Sequence, residues 1–125
     1  MKKKVYISGK MSGLSREEYM ERFHKASMLL VAEGYCVVNP TRFLPCRWTW
    51  LYKIMGYRLT LLYDLWKLSR CDMIYKIPGW KESKGAMIEG AFAYHMKISV
   101  LPTKQIKRLD KKMVKFIEKR WRQQE

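Results

Sequence analysis

Apolar positions along this chain alternate between short unbroken runs and stripes three or four residues apart. Each change of pattern marks an element. Val5-Tyr6-Ile7, inside Lys4 to Ser8, is a run short enough for a buried strand. Tyr19, Phe23, Ala26 and Leu30 then keep a helical period over a segment from about Arg16 to Glu33. A turn over Ser12 to Ser15 leads into it, Ser15 can cap it, Glu17 and Glu18 suit its first turn, and Gly34 ends it. Tyr35 to Val38 is a second strand, closed by Asn39-Pro40, and residues 41–56 follow no period. A second helix from about Tyr57 to Ser69 leads to a third strand over 72–77, a helix over 84–96, and a last strand from Ile98 to Leu101 stopped by Pro102. A final helical pattern carries Ile106, Leu109, Met113, Phe116 and Ile117 on one side. Alternating strands and helices predict an α/β, flavodoxin-like (Rossmann-like) parallel sheet of four to five strands with helices on both faces. In the order 2-1-3-4, the loops leaving strands one and three flank the switch point where ligands bind.

A chain of 125 residues supports one core, here a domain over 1–102 with the helix of 103–125 packed on it. No apolar run approaches the ~18 residues a membrane span requires. The basic start before Val5 reads as the edge of a first strand, not a signal peptide. Cys36, Cys46 and Cys71 lack CxxC spacing, so reduced thiols in a cytoplasmic protein, with no metal site, are expected.

Charge changes the picture more. The formal net charge is +15, which suits nucleic acid, anionic membranes or phosphorylated small molecules alike. From Lys104 onward, nine Lys or Arg face three acids. A docked helix with a solvated basic outer face accounts for that excess, and a nucleic-acid or partner contact is the alternative.

Candidate chemistry gathers in the two cleft loops. Ser8-Gly9-Lys10-Met11-Ser12-Gly13 offers hydroxyls, a cation and small residues after a strand, without P-loop or GxGxxG spacing. The second loop, Pro78 to Ser83, opens the helix holding Gly85, Ala86 and Glu89. Ser83 caps that helix, Gly85 and Ala86 permit close approach to its N-terminal N–H groups, and Glu89 lies one and a half turns in. Asp64 interrupts the stripe Tyr57, Leu61, Leu65, Leu68, a costly position unless the carboxylate pairs with a cation or lines the cleft. His24 lies on a helix flank and His95 on an apolar stripe with Ile88, Ala91 and Phe92, and both read as structural. The 41–56 segment, with Arg42, Arg47, Trp48 and Trp50, reads as a hydrophobic plug before a lid.

Tyr6-Ile-Ser-Gly, Asn39-Pro40, Asp64, Cys71-Asp72 and Gly79-Trp80-x-x-Ser83-x-Gly85-Ala86-x-x-Glu89 together resemble the nucleoside 2-deoxyribosyltransferase superfamily. That group includes the deoxynucleoside-monophosphate N-glycosidases, and the resemblance spans roughly residues 4 to 101. It implies that Glu89 is the nucleophile toward the anomeric carbon, that Tyr6 orients it, and that Asp64 handles the leaving base. Ser83 falls where the transferases carry a carboxylate for the sugar 5′-hydroxyl and the glycosidases a serine for phosphate. With Lys10 and the basic charge, this tilts the expected substrate toward a nucleotide. Ser8, Gly9, Lys10, Ser83, Gly85 and Ala86 are the expected substrate contacts, and Asp72 is structural. The expectation is therefore cleavage or transfer of a deoxynucleotide or nucleoside N-glycosidic bond, without cofactor or metal, in a homo-oligomer. A non-catalytic nucleotide-binding module and a nucleic-acid-associated protein are the alternatives.

Overall fold

A computed structural model describes residues 2–11, 13–42 and 61–121. Ser12, Cys46, the aromatic stretch with Arg47, Trp48 and Trp50, the helix start at Tyr57 and residues 122–125 lie outside the described residues. The strands are β1 (Lys4–Ser8), β2 (Cys36–Val38), β3 (Met73–Lys76) and β4 (Ser99–Val100). The helices are α1 (Arg16–Ala32), α2 (described over 61–69), α3 (Lys84–His95) and α4 (Thr103–Arg120). Single 3-10 turns cover Pro40–Arg42 and Trp80–Glu82. All strands pair in parallel in the order β2-β1-β3-β4, the flavodoxin-like arrangement expected.

Strand alternation divides the core between the two faces of the sheet. Val5, Ile7, Met73, Tyr75 and Ile77 pack with Phe23, Ala26 and Leu30 of α1 and with Leu109 and Met113 of α4. Tyr6 and Ile74 point the other way, into a smaller cluster with Leu68 of α2, Cys71 and Ala93 of α3. The register pairs Tyr6 with Ile74 and Ser8 with Lys76, so these four face the α2/α3 side at the carboxyl end of the central strands.

Local sequence explains the ends of the helices. The Ser15 hydroxyl accepts the Glu18 N–H at 3.1 Å, and Gly34, at φ +95°, turns the chain out of α1. Asp72 is structural, its carboxylate accepting the Lys4 N–H at 2.9 Å. The C-terminal stripe docks as expected. Leu109 and Met113 are fully buried, and polar ties from the Tyr75 hydroxyl to Asp110 (2.8 Å) and from Arg108 to Glu33 (2.5 Å) fix α4 against the sheet and α1.

One stripe is corrected. Ile88, Ala91 and His95 of α3 are exposed, and the buried line is Ala86, Glu89 and Ala93, with Phe92 half-buried. Only a line through Glu89 lets the carboxylate reach Tyr6 and Ser8, and that requirement rotates the helix away from its most hydrophobic face. His95 is a surface residue packed edge-on against Tyr94.

Candidate functional site

The site lies on the α2/α3 side, where β1 and β3 end. Glu89 is 7% exposed and held at both oxygens. The Tyr6 hydroxyl donates to Oε2, and the Ser8 hydroxyl donates to Oε1 at 2.9 Å. β1 supplies both donors because residues two apart share a face of the sheet. Burial raises the Glu89 pKa, and the bonds from Tyr6 and Ser8 oppose that rise by favouring the ionised form. Burial, then the charges of Glu89 and Asp64, drive the Tyr6 phenol far above its ordinary range, so it remains a donor at any physiological pH.

Asp64 enters from α2. Its carboxyl is pushed up to about 7, first by burial and second by the negative charge of Glu89. Its Oδ1 is buried without a hydrogen-bond partner among the described residues. The alternative of an Asp64–cation pair therefore finds no support among those residues. Asp64 feels the Glu89 charge. Two carboxyls that share a low-dielectric site lose their protons in sequence. The two donors favour the charged form of Glu89, while burial and that charge favour the protonated form of Asp64.

The α3 N-terminus forms the adjoining wall. Ser83 caps it, its Oγ accepting the Ala86 N–H at 3.2 Å, while the hydroxyl hydrogen remains able to donate. By helix geometry the Lys84 and Gly85 N–H groups have no acceptor within α3. Ala86 is buried, and Gly85 is half-buried beside it. From the first loop, the Lys10 ammonium reaches across to Glu82 at 2.9 Å and ties the two cleft loops together. Gly9 has a packing reason. A Cβ there would lie 3.2 Å from Ile77 and 3.3 Å from the Phe23 ring, on the α1 side, away from Glu89.

Two neighbours, Lys76 and Gly90, carried no motif signal that pointed to the site, and Trp80 figured only within the motif. Lys76 shares the face of Ser8, and its ammonium sits 4.3 Å from the centre of the Trp80 ring. Gly90, next to Glu89, provides the room, since a Cβ there would lie 3.0 Å from Lys76 Cε and Nζ. The signals were a lysine inside an apolar strand and a glycine in mid-helix, each costly unless it has a local purpose. Neither belongs to a motif.

Gly13 of the first loop and Gly79 and Glu82 of the second, with Glu18, Arg22 and Trp121, help line an open cavity of about 490 Å³ on the α1/α4 side. Glu89 is not in its lining. The coupled carboxyls, oriented donors and helix N-terminus carry the chemistry, and they define the candidate site. A buried and a half-buried acid beside an anion-accepting helix end can attack an electrophilic carbon and protonate a leaving group. Among the described residues no cluster of His, Cys, Asp and Glu could hold a metal ion. No helix among them is long and apolar enough to cross a membrane. No curated protein matches the chain. The segment carrying every one of these site residues coincides with a family match: the chain belongs to the family defined as a domain of unknown function (DUF4406), whose model matches residues 3–102.

Proposed function

We propose that this protein cleaves or transfers the N-glycosidic bond of a deoxynucleotide, with Glu89 as nucleophile and Asp64 as acid. The observation that carries the reading is the buried Glu89 carboxyl held by Tyr6 and Ser8, with a second carboxyl, Asp64, raised to about 7 by burial and by the Glu89 charge. A Glu89 oxygen attacks the anomeric carbon as the bond to the base nitrogen breaks, and that electron pair leaves with the base. Asp64 delivers its proton to the departing base. The sugar is then joined to Glu89 as an ester, and the transition state carries oxocarbenium character that the nearby carboxylate stabilises. In the second step water, or an incoming base, attacks the same carbon. Asp64 takes the proton, and Glu89 leaves as a carboxylate. The resemblance of the Tyr6, Asp64 and Ser83–Glu89 motifs to the nucleoside 2-deoxyribosyltransferase superfamily supports the same assignment.

A 5′-phosphate suits the wall beside Glu89, because unpaired N–H groups at a helix start, the Ser83 hydroxyl and the Lys76 ammonium group favour an anion, whereas Lys10 is already neutralised by Glu82. The decisive experiment incubates the protein with a panel of deoxynucleosides and deoxynucleoside monophosphates and measures free base. Wild type should release base, and Glu89→Gln should stop release while leaving ligand binding largely intact. Undiminished turnover by Glu89→Gln would sink the nucleophile assignment. Ligand binding without base release in wild type would instead favour a non-catalytic nucleotide-binding module.

A further inference from the structure

Helix α4 follows the family-matched segment and packs on the sheet face opposite the carboxyl pair. Its eighteen residues divide sharply. At about 100° per residue, Ile106, Leu109, Met113 and Ile117 point to one side. Leu109 and Met113 are buried there, and Ile106 and Ile117 pack against the same core. Lys104, Lys107, Lys111, Lys112, Lys115 and Lys119 fall within an arc of about 140° on the other side, and all six are exposed. None of the six has an ion pair among the described residues, whereas Arg108 and Arg120 on α4 pair with Glu33, Glu17 and Glu21 of the adjoining α1 or its end. Of the α4 acids, Asp110 is turned to Tyr75, and Glu118 alone shares the lysine arc. Lys104 and Lys119 are fifteen residues apart, so the cation row runs about 22 Å.

We propose that this row is a docking surface for the phosphate backbone of duplex nucleic acid. Its charge complements a polyanion, and its length matches several phosphates of one strand. The apolar side of α4 packs on the core, and Val114 is the one large apolar side chain of α4 left exposed, too little for the interfacial insertion that a bilayer-bound helix uses. The exposed residues of α4 include no aromatic ring, so unpaired bases find no stacking platform, and that favours a duplex over a single strand. The contact reads charge and not base sequence. It is independent of the glycosidase reading, because the carboxyl pair lies across the sheet.

Fluorescence anisotropy with a labelled mixed-sequence DNA duplex of twenty base pairs, titrated at several salt concentrations, tests this. Binding should weaken with salt at a log–log slope of about −4 to −5, as expected for about five phosphate contacts. The variant Lys107→Glu, Lys111→Glu, Lys115→Glu should lose at least about 30-fold in affinity at low salt and cut the slope by about three. Its thermal unfolding and any base release should stay at the wild-type level. Lys2→Glu, Lys3→Glu, Lys97→Glu makes the same change in net charge at exposed residues outside α4 and should cost less than about threefold. Equal losses from the two triple variants would overturn the proposal, since net charge alone would then explain binding. Tighter binding to single-stranded DNA would overturn it too, as would phosphatidylserine vesicles that compete with the duplex at equal charge.

Discussion

At the scale of single residues, the unequal support of two carboxyls decides the chemistry. Glu89 receives hydrogen bonds from Tyr6 and Ser8, and Asp64 receives none at Oδ1 among the described residues. Burial and the Glu89 charge lift Asp64 from 3.8 to about 7. Base release should therefore fall as pH rises through about 7, when the acid loses its proton. Stability shares that origin. Below about pH 4 Asp64 is protonated in both the folded and unfolded chain, so it contributes no pH dependence. Between there and about 7 the unfolded chain ionises while the folded one retains its proton, and stability declines until the folded group also ionises. Asp64→Asn removes that loss. It should unfold like wild type near pH 4 and be more stable by about 2–4 kcal/mol at pH 8, measured by urea denaturation, while losing base release at every pH. A stability difference independent of pH would show that Asp64 is not held protonated by its surroundings. Tyr6→Phe should depress activity more than stability, since it strips one donor from the Glu89 carboxylate and leaves the ring packing in place.

At the scale of elements, α3 presents its N-terminus to the cleft through one residue with two duties. Ser83 closes the first turn by accepting the Ala86 N–H, and its own proton is free for a ligand. Substitutions separate the duties. Ser83→Ala should cost about 1 kcal/mol of stability, the usual loss for an N-cap hydroxyl. Ser83→Asp keeps a good cap and adds a charge that suits a helix start, so stability should hold. The wild-type preference for a 5′-monophosphate over the matching nucleoside, expected at about tenfold or 1.4 kcal/mol, should then reverse because carboxylate and phosphate repel. Competition assays in which both ligands bind equally to wild type and to Ser83→Asp would leave Ser83 a helix cap alone. How far the elements could be read in advance follows from their physics. The strand order, the α1 cap at Ser15 and the docking of α4 through Leu109 and Met113 were legible, because periodicity and capping are local signals. The orientation of α3 was not. Its Ile88 and Ala91 look like a buried stripe, yet the need to bring Glu89 to Tyr6 rotates them into solvent. The Lys76–Trp80–Gly90 cluster was equally hidden, since a ring, a cation and a gap from three elements meet only in the fold.

At the scale of the whole molecule, the two layers of helix are unequally finished. The α1/α4 layer covers the larger core cluster and is laced to itself by the Arg120 contacts with Glu17 and Glu21. The α2/α3 layer covers the smaller cluster and leaves Leu62 60% exposed, Trp66 51%, Met87 51% and Ile88 41%, while the other layer leaves out the smaller set Met28, Val31 and Val114. Scattered apolar surface is ordinary, but here four large side chains stand exposed on the two helices that carry the carboxyl pair. A small domain gains stability by burying such surface, and a two-fold dimer does so with one self-complementary patch. Wild type is therefore expected to sediment as at least a dimer at micromolar concentration, with α2 and α3 in the contact. Trp66→Glu combined with Ile88→Glu places charge in that contact and should shift the protein to monomer. Neither side chain is buried in the protomer, so the unfolding transition of the monomer should remain cooperative. Base release should fall along with dimer content, since the contact braces the helices that carry Asp64 and Glu89. Sedimentation of wild type as a monomer would refute the dimer, and a monomeric double variant with full activity would show that the site is complete within one chain.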